Sequence, residues 1–322
     1  MTRTLRIATR GSALALAQTG MIADELRRLT GVEVTITVVT TEGDTSRASL
    51  ASIGGTGVFA SALRASLTAG DCDLVVHSLK DLPTAPYPGL VLGAVPLRED
   101  PRDALCSRDG LTLDALPEGA RIGTGSPRRV AQLLSLRPDA TVVDIRGNVD
   151  TRLAKVSSGE LDAVVLAAAG LTRLGRLDAV SEFFDLSVWP TAPGQGALAI
   201  EAREEDSIPE LTQIQDERTR VRIVAERSVL AALEAGCSAP IGASSTLDGD
   251  TLTLTAVVYS ADGSAELGST RSVTLGGGGA GAGAGSALAA DEAAAVGLGS
   301  AIATQLLGDG AGELAQLGSS IR

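Results

Sequence analysis

Arg121-Ile122-Gly123-Thr124-Gly125-Ser126-Pro127-Arg128-Arg129 is the stretch that decides the fold. Arg121 to Gly123 read as a strand that runs into a Gly/hydroxyl turn. Ser126 suits a helix N-cap and Pro127 the first helical position, so a helix is predicted from Arg128 to about Leu136. The same design stands near the N-terminus. Residues 5–9 read as a strand, Ser12 as a cap and residues 14–29 as a helix. The first segment continues with a β-branched strand at 32–40, a helix at 58–69 and a short buried strand at 74–77. The second continues with strand 141–145, helix 149–158 and strand 163–166. Strands alternating with helices imply a parallel or mixed sheet covered by helices.

Pro- or Gly-rich stretches at 96–101 and 190–196 mark boundaries. They suit one domain inserted into another, with residues 198–201 returning to the first sheet. The expected domains are 1–97 with 197–215, an inserted domain at 102–190, and a third at 218–322. The third opens with a long helix at about 217–233. Strand patterns follow at 251–260 and 269–275, then a Gly/Ala loop at 276–285 and an Ala-rich helix at about 287–307.

The composition limits function. The chain has 322 residues, 44% hydrophobic but only 2% aromatic, and a net charge of −12. An acidic chain with few rings is a poor nucleic-acid binder, since that needs a basic surface or stacking platforms. No apolar run reaches the roughly 18 residues of a membrane span, and no secretion signal is read at the N-terminus. Cys72, Cys106 and Cys237 form no CxxC pair, and His77 is the single histidine. The expectation is a reduced, cytoplasmic protein with no disulfide framework and no metal site.

Three constellations carry chemistry. Arg10, Gly11 and Ser12 sit at a strand-to-helix turn, where free N–H groups and the helix dipole favour anions; a plain cap beside a solvated arginine is the competing reading. Thr124, Ser126, Arg128 and Arg129 repeat the design, and Arg146, Arg152 and Arg173 add further cations. Guanidinium groups grip carboxylates through paired hydrogen bonds. Asp139, Asp144 and Asp150 are the local acids that would instead absorb some of them in ion pairs. In Val75-Val76-His77-Ser78-Leu79-Lys80-Asp81, the strand ends at Ser78 and leaves Lys80 and Asp81 on the following loop. A carboxylate at a strand's C-terminal edge suits proton transfer or stabilisation of a cation; a turn facing water is the alternative. His77, flanked by apolar residues, reads as a structural imidazole. Cys237 follows Gly236 on a loop past the long helix, where a thiol is open to chemistry.

Taken together, the runs ATRGSALALAQ (8–18), GGTGVF (54–59), VHSLKDLPT (76–84), GTGSPRR (123–129), IRGNVDTRL (145–153), AAAGLTRLG (167–175), PGQGALAIE (193–201) and LEAGCSAPIG (233–242) resemble, in order, the porphobilinogen deaminase (hydroxymethylbilane synthase) family. The resemblance implies an α/β protein of three domains. Two are periplasmic-binding-protein-like lobes with mixed sheets and the active site in the cleft between them; the third is a smaller α/β domain carrying the cysteine. It implies a transferase that condenses porphobilinogen head to tail into the linear tetrapyrrole hydroxymethylbilane. A dipyrromethane cofactor joined to Cys237 by a thioether primes the reaction. Asp81 matches the catalytic aspartate. Ser78, Lys80, Asp81, Thr124, Ser126, Arg128, Arg129, Arg146 and Arg152 match cofactor-binding positions, and Arg10, Ser12, Gln18 and Arg173 the substrate side. A monomer is implied, with a downstream synthase as a possible transient partner. Thr56 and Gly125 depart from the lysine and serine common in the family. A non-enzymatic carboxylate-binding protein would share the arginines but gives no reason for Cys237 or Asp81; a phosphoribosyltransferase of similar architecture would use the glycine/hydroxyl turns for phosphates and would need a phosphate-bearing substrate and magnesium.

Overall fold

The computed structural model describes residues 3–40, 58–236, 239–276 and 284–317. Thr56, Cys237 and residues 277–283 of the Gly/Ala stretch lie outside the described residues. The chain divides into two compact units, Met1–Glu99 with Gly196–Arg220, and Asp100–Gln195 with Val221–Arg322.

The described strands are β1 Thr4–Thr9, β2 Glu33–Val38, β3 Leu74–Ser78, β4 Leu90–Ala94 and β5 Asp103–Ser107. Next come β6 Arg121–Gly123, β7 Thr141–Val143, β8 Ala163–Ala167, β9 Glu182–Phe183 and β10 Leu198–Arg203. The series ends with β11 Ile241–Asp248, β12 Thr251–Tyr259 and β13 Glu266–Thr274.

The first unit holds a sheet of order β2-β1-β3-β10-β4. β1 runs parallel to β2 and β3, while β10 runs antiparallel to β3 and β4. Helix Ala13–Thr30 starts where Ser12 Oγ accepts from Ala15 N (3.3 Å) and stops at Gly31, whose φ of 70° is a left-handed conformation glycine adopts without strain. Its Ile22, Ala23 and Leu26 share one face and pack on Leu5 and Ile7, which alternate on β1. Each of these buried leucines and isoleucines contributes about 1.5–3 kcal/mol.

The second unit repeats the plan. Its sheet has order β7-β6-β8-β5-β9, with β6 parallel to β7 and β8 and β5 antiparallel to β8 and β9. β6 is thus the counterpart of β1, β8 of β3 and β5 of β10. The same unit contains the antiparallel meander β11-β12-β13. Leu252, Leu254, Ala256 and Val258 point to one side of β12 and pack with Val221, Ala225 and Val229 of helix Glu217–Ala232 and Ile302 and Leu306 of helix Ala284–Gly308.

The strands β4, β5, β9 and β11 carry no clear alternation in sequence. β11 reads Ile-Gly-Ala-Ser-Ser-Thr-Leu-Asp, and it is a strand because all eight residues pair with β12. No helix among the described residues is long and apolar enough to cross a membrane, and they hold no cluster suited to a metal ion.

Candidate functional site

In the first unit β1 and β3 lie side by side and end at Thr9 and Ser78. After β3 the chain makes a single 3-10 turn, Leu79–Asp81, closed by Leu82 N donating to Leu79 O at 3.0 Å. Leu79 is fully buried and anchors the turn, which leaves Asp81 exposed and Lys80 half-buried. Arg10, Ser12, Gln18, His77, Ser78 and Asp81 line one open pocket. Gln18 is buried and donates from Nε2 to Ser78 Oγ at 3.0 Å, tying the helix after β1 to the end of β3.

Beneath this pocket lies a buried ion cluster. Arg64 of helix Val58–Thr68 grips Glu201 on β10 with Nε (2.9 Å to Oε2) and Nη2 (2.7 Å to Oε1). His77 Nε2 lies 3.0 Å from Glu201 Oε2. Burial works against the Glu201 carboxylate, yet His77 and Arg64 hold its pKa at about 2, against an ordinary 4.5.

In the second unit the matching turn is built differently. Thr124 is buried; its N–H reaches Val143 O at 3.0 Å, and its hydroxyl accepts from Ser126 N at 3.3 Å. Ser126 stands at the N-cap position of helix Pro127–Leu136, but its side chain makes no capping bond. Arg128 and Arg129 do not lie open. They are 2% and 5% exposed, and both engage Asp103, which is fully buried at the start of β5. Arg128 Nη2 is 2.8 Å from Oδ2 and Arg129 Nη2 is 2.6 Å from Oδ1. Trp189 Nε1 (2.8 Å) and Gln195 Nε2 (2.7 Å) donate to the same carboxylate. Burial alone would raise the Asp103 pKa, but Arg128 and Arg129 hold it far below the carboxylate range. Arg128 also donates to Gln132 Oε1 (2.6 Å) and Pro190 O (3.1 Å), and Arg129 to Val165 O (2.9 Å). Two guanidinium groups on one carboxylate leave a net positive charge, and the Nε–H of each is buried with no acceptor among the described residues.

The remaining cations of this unit are more open. Arg146, half-buried after β7, lies 3.5 Å from Asp144, and Arg152 donates from Nε to Gly147 O at 2.9 Å. Asn148 caps helix Val149–Ser157 by accepting from Thr151 N at 2.9 Å. Arg173 is half-buried at the end of helix Ala168–Arg173. Of the acids expected to compete, Asp139 engages Arg137, Asp150 engages Arg176, and Asp144 meets the candidate Arg146.

Sequence reading missed Asp103, Gln132, Gln195 and Glu201. The usable signals were an acid opening the apolar run Asp-Ala-Leu-Cys, a glutamine four residues after Arg128 on one helix face, and an acid closing Ala-Leu-Ala-Ile-Glu. Cys72 and Cys106 are buried; burial raises the Cys72 pKa and pushes that of Cys106 up to about 12.

Comparison with known proteins decides what this arrangement belongs to. Residues 5–210 match the porphobilinogen deaminase dipyrromethane cofactor binding domain, and residues 221–307 match the C-terminal domain of the same family. The chain belongs to the porphobilinogen deaminase family. The porphobilinogen deaminase of Leifsonia xyli is 56% identical, with 97% of this chain and 94% of its own covered. That of Cutibacterium acnes is 52% identical over 98% of each. Porphobilinogen deaminase 1 of Streptomyces coelicolor is 49% identical over 97% of each. Among solved structures, a methionine-binding protein covers 70% of this chain and 90% of its own at 10% identity, with a TM-score of 0.42. The chain is a transferase that deaminates and condenses porphobilinogen into hydroxymethylbilane, primed by a dipyrromethane cofactor. Family membership favours this enzymatic reading over a non-enzymatic carboxylate-binding protein.

Proposed function

We propose that Asp81 is the catalytic carboxylate and that Cys237 carries the cofactor. The observation that carries the reading is one pocket combining the cation Arg10 and the hydroxyl Ser12 with the exposed carboxylate Asp81. A molecule with carboxylates around pyrrole N–H groups needs both kinds of partner, so these residues fit it. When bound, the cofactor supplies the terminal pyrrole carbon from which the chain is extended.

Asp81 accepts pyrrole N–H bonds and stabilises the positive charge that develops as ammonia leaves porphobilinogen. It then takes up the proton lost when the new carbon–carbon bond forms. Arg10, Ser12, Gln18 and Arg173 hold the incoming substrate. Ser78, Lys80, Thr124, Ser126, Arg128, Arg129, Arg146 and Arg152 hold the cofactor. Arg146 is open enough to meet a ligand carboxylate directly, whereas Arg128 and Arg129 offer a buried positive charge that a carboxylate offsets. Cys237 matches the family's cofactor-bearing cysteine, and the thiols of Cys72 and Cys106 are buried and hard to ionise. We read residues 1–97 with 197–215, 102–190 and 218–322 as the three domains of a cytoplasmic monomer that passes its product to a downstream synthase.

Intact-protein mass spectrometry with peptide mapping tests the attachment. The expected result is a mass excess of two linked pyrrole units on the peptide containing Cys237. An unmodified protein, still unmodified after incubation with porphobilinogen, contradicts it.

A further inference from the structure

We propose that His77 is a positioning residue of the reaction: packed beside Glu201, which Arg64 grips, its imidazole fixes the pocket wall from which Asp81 works. This rests on the pocket of Asp81 being where the chemistry occurs. His77 is the chain's single histidine, is 8% exposed and lines that pocket. It stands on β3 immediately before Ser78, the last strand residue, and four residues before Asp81.

The register explains the contact. His77 pairs with Ala199 on β10, and Glu201 pairs with Val75, so His77 and Glu201 are diagonal neighbours on one face of the sheet. Helix Val58–Thr68 covers that face, giving Arg64 to Glu201 and Ala60 to the pocket lining. Arg64 also lies over the Tyr87 ring, 4.9 Å from its centroid. The cluster therefore joins β3, β10 and the covering helix directly under the ligand pocket.

A buried ion cluster adds little stability over a well-packed apolar one, because desolvation offsets the attraction. Its value here lies in orientation. His77 Nε2 stands 3.0 Å from Glu201 Oε2 in a buried setting without an aligned hydrogen bond, so the ring is held by packing and by its closeness to that carboxylate. The charged groups around His77 are Glu201 from β10, Arg64 from the covering helix, and Asp81 and Arg10 from the pocket. A fixed ring holds β3 in place where the turn to Asp81 begins.

The test compares His77→Gln, which keeps an N–H donor facing Glu201, with His77→Leu, which does not. Cofactor loading by intact mass, melting temperature, kcat, KM for porphobilinogen and the pH–rate profile are measured on each. The leucine variant is expected to load cofactor and lose about 10- to 100-fold in kcat with KM nearly unchanged. The glutamine variant is expected within about threefold of the parent kcat, with the pH profile unaltered in shape. Wild-type turnover in the leucine variant makes the cluster merely structural and overturns the proposal. A glutamine variant as slow as the leucine one, with a lost pH limb, makes the imidazole itself the proton carrier and also overturns it. Should the leucine variant not fold, Arg64→Lys keeps the charge but not the two-point grip; the same kcat loss at unchanged KM is expected, and normal turnover refutes the idea. An active Asp81→Asn enzyme, run alongside, signals instead that the reading of the pocket is at fault.

Discussion

The two five-stranded sheets have the same strand order, and each buries one carboxylate on its matching antiparallel strand, Glu201 on β10 and Asp103 on β5. The cations that meet them come from different places. Glu201 is held by Arg64 from a covering helix and His77 from the neighbouring strand. The turn residues Arg10 and Asp81 are thereby left facing a pocket. Asp103 is held by Arg128 and Arg129, which belong to the strand-to-helix turn itself. Position relative to the helix start accounts for the contrast. Arg10 precedes the cap Ser12, whereas Arg128 and Arg129 follow Pro127 inside the first helical turn, where side chains point back over the sheet. The same local design thus leaves Arg10 lining an open pocket in one sheet and Arg128 and Arg129 buried on a carboxylate in the other.

Asp103→Asn should break the second arrangement outright. It leaves two buried guanidinium groups without their carboxylate, and a loss of about 3–5 kcal/mol is expected in urea unfolding of the cofactor-free protein. A change below 1 kcal/mol would remove Asp103 from the account. The first arrangement should fail in acid. Glu201 has its pKa at about 2 when folded against an ordinary 4.5, so its stabilisation is full above pH 4.5 and is lost as pH falls toward 2. Glu201→Gln should be less stable at neutral pH and show a shallower loss across that window, read by melting temperature against pH. Gly125→Ser tests the turn before Arg128. A Cβ there would lie 2.7 Å from Ile145 O, so about 1–3 kcal/mol should be lost. The smallest effect is expected at Asp150→Asn. That acid pairs with exposed Arg176, and its removal should cost under about 1 kcal/mol.

Much of the fold was readable because strand, turn and helix leave separate marks. Ser12 caps a helix and Gly31 ends it, and the apolar spacing of Ile22 and Leu26 states which face is buried. β11 was not readable, since its glycine, alanine and serines become a strand only through pairing with β12. The candidate site divides the same way. Asp81 and Arg10 could be named from their place at strand ends, and the structure brings them to one pocket. That Arg128 and Arg129 would be spent on Asp103 was hidden, because the pairing spans about 25 residues and depends on β5, a strand without alternation. Glu201 was hidden likewise, as its partners Arg64 and His77 come from two other elements.

The central claim is that Asp81 performs chemistry while contributing little to the fold. Asp81→Asn, measured for turnover with melting temperature and cofactor-bearing mass on the same sample, tests it most directly. The account predicts unchanged melting, unchanged loading once the cofactor is supplied, and a loss of kcat of at least about 100-fold. An Asp81→Asn enzyme that turns over porphobilinogen at near the parent rate would contradict it.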